Sequence, residues 1–216
     1  MKKTLFTFLI SYAFFSCTKH EIIPAPVKKV VLKASLKATI IKDNSQTDIN
    51  WIQNLSECEF ETSKAKYITQ NEGEASRTTY FAEMSNISLN NSLRIALGNA
   101  TWDANTAADP TLKIFNDFFK ENALPQYSVT SNFGFEVKYK DKKGQVWMSD
   151  GLRNYSTSPR TVAFTNIVQE SDIEFDYSKF TANFSCYLYK KYTEDSVTTL
   201  DSIKIENAQF KAWFQR

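Results

Sequence analysis

Apolar and polar side chains alternate one for one through long stretches of this chain, and a period of two marks strands with one buried face. Phe133, Phe135, Val137 and Tyr139 point one way while Glu136, Lys138 and Lys140 point the other; Phe184, Cys186 and Leu188 oppose Tyr187 and Tyr189 in the same manner. Leu32, Ala34, Leu36, Ala38 and Ile40 alternate with Lys33, Ser35, Lys37 and Thr39. A helix would also align Leu32, Leu36 and Ile40, so both forms stay open there. Further strands are expected at Cys58 to Ile68, Arg77 to Ser88, Ser92 to Thr101, Thr161 to Val168, Ile173 to Tyr177, Lys179 to Lys190, Ser202 to Glu206 and Gln209 to Gln215. Asn71 to Gly73, Asn90-Asn91 and Asp141 to Gly144 supply turns. One helix breaks the pattern over about 109–122: Asp109 is its expected N-cap, Pro110 its first residue, and Leu112, Phe115 and Phe119 its expected buried row. The whole predicts a mainly β fold, an antiparallel β-sandwich-like domain with one short α-helix.

The beginning of the chain follows different rules. Lys2 and Lys3 precede the uncharged stretch Thr4 to Phe15, which runs into Ser16-Cys17. A basic segment, a short apolar segment and a small residue before cysteine form a secretory signal. Twelve helical residues span roughly 18 Å, against the roughly 30 Å of a hydrocarbon core, so a spanning helix is disfavoured. The segment resembles the lipobox of bacterial lipoproteins, with Phe14 and Phe15 where that family carries leucine and a small residue. The resemblance implies that Cys17 is lipidated, that residues 1–17 are removed, and that the protein is held at a membrane of the bacterial cell envelope, the outer membrane favoured. Residues 18–29, with Pro24 and Pro26, then form a flexible tether of up to roughly 37 Å. Residues 30–216 form a single β-rich domain.

Charge and cysteine content fit that compartment. Removal of Lys2 and Lys3 leaves 24 of the 26 basic residues against 24 acidic ones. Such a chain has no basic field to gather phosphates, and nucleic acid is not an expected partner. With Cys17 carrying lipid, Cys58 and Cys186 remain, either a buried disulfide or two separate buried thiols.

Few residues offer chemistry. The single histidine, His20, lies in the tether with nothing to hold a catalytic partner beside it. No phosphate-binding glycine motif occurs, and no cofactor or metal site is expected. Glu170, Asp172, Glu174 and Asp176 recur at period two, which on one strand places four acids on one face: a cation site, a glycosidase-like acid pair, or a solvated face. Asp103, Asn105 and Asp109 have a loose calcium-ligand spacing. Trp147, Tyr187, Tyr189 and Trp213 oppose apolar rows and, on neighbouring strands, would form an aromatic platform for a glycan or a protein, or else a second layer of core.

The segments Gly134 to Tyr139, Phe180 to Tyr189 and Ile203 to Phe210 resemble uncharacterised β-sheet envelope lipoproteins of Gram-negative bacteria, which close on an Asn-Gly hairpin turn where this chain has Asn207-Ala208. Asp195-Ser196-Val197 and Asp201-Ser202-Ile203 resemble sites that some such bacteria O-glycosylate, at Ser196 and Ser202. The expected function is a lipid-anchored, non-catalytic binding or interaction module for a glycan or an envelope protein. The alternative is a carboxylate-dependent hydrolase using the acids of 170–176.

Overall fold

The computed structural model describes residues 29–55, 57–71, 73–130, 133–156, 162–194 and 197–216. Cys17, His20, Ser196 and residues 18–28 of the tether lie outside them. The described residues form ten strands and two helices: β1 (Ser35–Lys42), β2 (Ser45–Ile52), β3 (Cys58–Tyr67), β4 (Ser76–Asn86), β5 (Asn91–Trp102), α1 (Leu112–Glu121), β6 (Gly134–Lys140), β7 (Val146–Ser149), α2 (Gly151–Ser156), β8 (Val162–Ser171), β9 (Asp176–Glu194) and β10 (Val197–Gln215). The strands pair antiparallel in one sheet of order β2-β1-β10-β9-β7-β6-β5-β4-β3, with β8 on β9.

The sheet folds over on itself and buries a shared core, which makes the domain sandwich-like. Phe135 of β6 meets Phe164 of β8 at 5.8 Å and Phe184 of β9 at 5.4 Å. Tyr80 of β4 meets Phe214 of β10 at 6.1 Å, and Phe60 of β3 meets Phe210 at 6.2 Å. Bulges let a single sheet curl this far, because an extra residue in one strand sharpens the local twist. The register shifts between Thr78 and Tyr80, between Thr165 and Val168, and between Ile205 and Ala208.

Two turns differ from expectation for one conformational reason. A tight two-residue hairpin needs two successive residues at positive φ. Asp43 and Asn44 supply them, at 48° and 62°, and join β1 to a strand, β2, that the alternation alone does not reveal. Asn207 adopts φ 51° but Ala208 does not, so the expected closing hairpin is a bulge and β10 runs straight through it. The expected strand Ile173 to Tyr177 is likewise a turn plus the first residues of β9.

Helix α1 starts later than expected. Its N-cap is Thr111, whose Oγ1 accepts from the Ile114 amide at 3.3 Å. Asp109 turns away to Lys64 and Lys66 of β3, at 3.2 and 3.1 Å. The buried residues are Phe115, Phe118 and Phe119; Leu112, at the first helical position, is 40% exposed. Phe115 and Phe119 pack on Tyr80 at 5.4 and 5.2 Å, and Phe119 stacks on Phe214 at 5.0 Å. Gln169 of β8 donates to the Asn116 carbonyl at 2.6 Å, which ties the helix to the other layer.

The second helix, α2, has no expected counterpart, and it completes β9. Asn154 is fully buried; its Nδ2 donates to the Tyr187 carbonyl at 3.1 Å and its Oδ1 accepts from the Tyr187 amide at 2.9 Å. These bonds satisfy the edge of β9 between the stretches paired with β8 and β7. Gly151 permits the approach, since a Cβ there would stand 2.5 Å from the Ser128 carbonyl oxygen.

Phe119→Ala should destabilise the domain by about 3–5 kcal/mol, the usual cost of emptying an aromatic core position. Leu112→Ala should stay within about 0.5 kcal/mol, as for an exposed site. Urea unfolding of the two variants measures the difference, and equal losses would mean that α1 buries another face.

Candidate functional site

A cleft of about 890 Å³ opens between the outer side of α1, the end of β5, the loop 122–130 and Phe133. Backbone bonds fix that loop although it belongs to no strand. Asn122 caps α1 by donating its amide to the Phe118 carbonyl at 3.1 Å, and Phe164 donates to the Ala123 carbonyl at 2.7 Å. The Phe135 amide donates to Gln126 at 2.8 Å, the Ser128 amide to Phe135 at 2.9 Å, and the buried Tyr127 hydroxyl to the Ser185 carbonyl at 3.0 Å. Gly134 lets the chain turn into β6: its φ is 101°, and a Cβ would sit 2.8 Å from the Gln126 carbonyl oxygen. The cleft is therefore preformed.

Its walls differ in chemistry. Leu124, Val129 and Phe133 are exposed and apolar, while Asn99, Thr101 and Gln126 offer hydrogen bonds. Asp117 and Glu121 stand on α1. The Lys113 ammonium, hydrogen-bonded to Asp117, holds that carboxyl below the usual carboxylate range. Phe133 and Asn99 also border a smaller hollow of about 260 Å³, lined by Tyr67, Arg77 and Lys66. There the Arg77 guanidinium carbon lies 5.3 Å from the Phe133 ring centre and 5.7 Å from that of Tyr67. Phe133 was expected in the inward row with Phe135, Val137 and Tyr139. It lies instead one residue before β6, beyond the left-handed turn of Gly134, and faces outward.

The residues singled out from the sequence are elsewhere. Trp147 opposes Val146 and Met148 as expected, but its own side is the core: it is 1% exposed, its Nε1 donates to Asp141 at 3.3 Å, and the Lys42 ammonium lies 4.5 Å from its ring centre. Trp213 is buried under Phe60, at 4.1 Å. Only Tyr187 and Tyr189 are partly exposed, 6.5 Å apart, so the four aromatic residues form no common platform.

The acidic row is split by a chain reversal. Glu170 is the next-to-last residue of β8 and pairs with Lys179; Asp172 and Glu174 lie in the turn; Asp176 opens β9 and pairs with Arg216 at 2.6 Å. Hydrogen bonds from the amides of Phe175, Glu174 and Val30 lower the Asp172 pKa. Glu170 and Asp176 thus serve ion pairs, Asp172 holds the turn and Glu174 is exposed, so the four acids do not line one strand face.

Cys58 and Cys186 are both buried, and Asn86 Nδ2 approaches Cys58 Sγ at 3.6 Å. Asp103 accepts from the Asn105 amide and side chain at 2.9 and 3.0 Å, a self-contained turn, while Asp109 is held by lysines. Among the described residues no cluster of histidine, cysteine or carboxylate has metal-holding geometry. Ser202 is exposed, within β10 opposite Tyr189.

Asp109 carries a testable pH dependence. Burial raises its pKa, but hydrogen bonds and charge from Lys66 and Lys64 outweigh that and hold it below the usual range. A depressed native pKa contributes stability above the unfolded value, about 3.9, and loses it as pH falls through the native value. Asp109→Asn should cost less than about 1 kcal/mol at pH 7, the range for solvent-screened pairs. The difference from the parent should shrink below about pH 4 in denaturation curves, and a gap that widens on acidification would contradict this account. No protein-family model, curated protein or solved structure matches this chain, so the cleft is interpreted on its own geometry.

Proposed function

We propose that the chain is a lipid-anchored, non-catalytic binding module of a bacterial cell envelope, outer membrane favoured, and that its cleft takes a glycan. The observation that carries the glycan reading is the composition of a preformed groove: an outward aromatic ring, Phe133, beside planar amides and hydroxyls at Asn99, Gln126 and Thr101. Sugars present just those two chemistries, an apolar ring face and a rim of hydroxyl groups. Anchorage through Cys17 and export rest on the N-terminal pattern of Lys2, Lys3, the uncharged segment and Ser16-Cys17.

Hydrolysis has weaker support from the same groove. A glycosidase needs two carboxyl groups flanking the scissile bond, one of them with a raised pKa. Asp117 and Glu121 stand one turn apart on a single wall, and Lys113 moves Asp117 in the opposite direction. A protein partner remains the second reading. It is favoured by Val146, Met148 and Leu152, exposed apolar side chains around a neighbouring hollow of about 440 Å³ that shares Val129 with the cleft.

A glycan array probed with the full-length chain in detergent should give discrete positives, and Phe133→Ala should weaken them about tenfold, equivalent to about 1.4 kcal/mol. Silence across diverse glycans would turn the assignment to a protein. Cells grown with radioactive fatty acid should label the parent chain and not Cys17→Ser; equal labelling, or none, removes the anchor.

A further inference from the structure

We infer that the ligand of the cleft is an acidic glycan, an oligosaccharide bearing uronic-acid carboxylates, and that Arg77 is the residue that selects it. The inference rests on the glycan reading and specifies its ligand class.

Arg77 sits on β4 between Tyr67 of β3 and Thr101 of β5. Among the described residues no carboxylate lies within ion-pair distance of it. The neighbouring cations are already matched, since Lys64 and Lys66 share Asp109. Arg77 is only half-exposed, and its contacts are with the rings of Tyr67 and Phe133. Aromatic contacts hold a guanidinium in place without using its N–H fork, which suits a carboxylate in two parallel hydrogen bonds. A cation kept partly from water without a counter-ion carries a desolvation cost that an anionic ligand would relieve.

The position of Arg77 gives the ligand an orientation. The hollow that holds it shares Phe133 and Asn99 with the main cleft, so one chain of sugars runs from one space into the other. Asp117 and Glu121 occupy the α1 wall of the cleft and repel a carboxylate there. The acid group is therefore directed to Arg77, a ring lies on Phe133, and neutral hydroxyl groups face α1. Arg77 offers one uncompensated charge, which matches a monoanionic carboxylate and not a phosphate dianion.

The test titrates the full-length chain in detergent with oligomers of galacturonate, glucuronate, mannuronate and guluronate, each beside its methyl ester, an uncharged derivative of the acid. At least one acid should bind ten times or more tightly than its own ester, with a preference that falls as salt rises. Arg77→Gln should abolish the preference by lowering acid affinity about tenfold more than ester affinity, and its thermal unfolding shows whether it folds. If it does not fold, the parent comparison of acid with ester decides alone. Acids and esters binding equally overturn the inference and leave the glycan reading intact. Retention of the preference in folded Arg77→Gln overturns the role of Arg77. Silence from every uronate with positives elsewhere on the array overturns the ligand class, and silence from all glycans removes both proposals.

Discussion

Strand β9 must find partners for two backbone edges along 19 residues, and the architecture is arranged around that demand. One edge is taken by β10, a strand of equal length. The other is divided: β8 covers 176–184, Asn154 of α2 covers Tyr187, and β7 takes Leu188 and Tyr189. Tyr127 adds a hydroxyl bond at Ser185. Because β7 leads to β6 and β5, this shared edge carries the chain from one layer into the other, and the bulges of β8 and β10 supply the twist that closes them together.

The same closure produces the cleft. Where the two layers part, α1 lays Phe115, Phe118 and Phe119 over Tyr80 and Phe214 and seals the core with rings. A helix docked by one stripe leaves its opposite face in solvent, which is where Asp117 and Glu121 emerge. The chain must then return from Asn122 to β6, and its route over the surface forms the second wall. Gln126 to Ser128 bond back to the backbone of Phe135, so this wall is held almost as firmly as a strand while its side chains escape the in-and-out rule of a ladder.

Alternation predicted the strands well and the surfaces poorly. Cys58 to Ile68, Arg77 to Ser88 and Ser92 to Thr101 lie within a residue or two of β3, β4 and β5, and β4 buries every second residue from Tyr80 to Asn86. β2 escaped because only its last residues, Ile49 and Trp51, are buried, and the turn before it uses Asp43-Asn44 without glycine. Parity says which residues oppose one another and does not say which side is the core. Trp147 and Val146 do oppose each other, yet tryptophan is the inner one. Trp213 faces away from Phe214 and is buried all the same, since the folded-over sheet brings Phe60 onto it. No local pattern encodes a contact between residues 153 positions apart.

The candidate ligand site illustrates the same limit from the other side. Phe133 continues the alternation of Phe135 and Val137, and only the left-handed backbone of Gly134 takes it out of the core row. Arg77 opens an expected strand as an ordinary polar residue, paired with Tyr67, while Lys66 and Lys64 at the alternate positions of β3 pair with Asp109. Thr111 takes the cap, Asp109 neutralises the lysines, and one guanidinium held between two rings is left as the distinctive charge beside the groove.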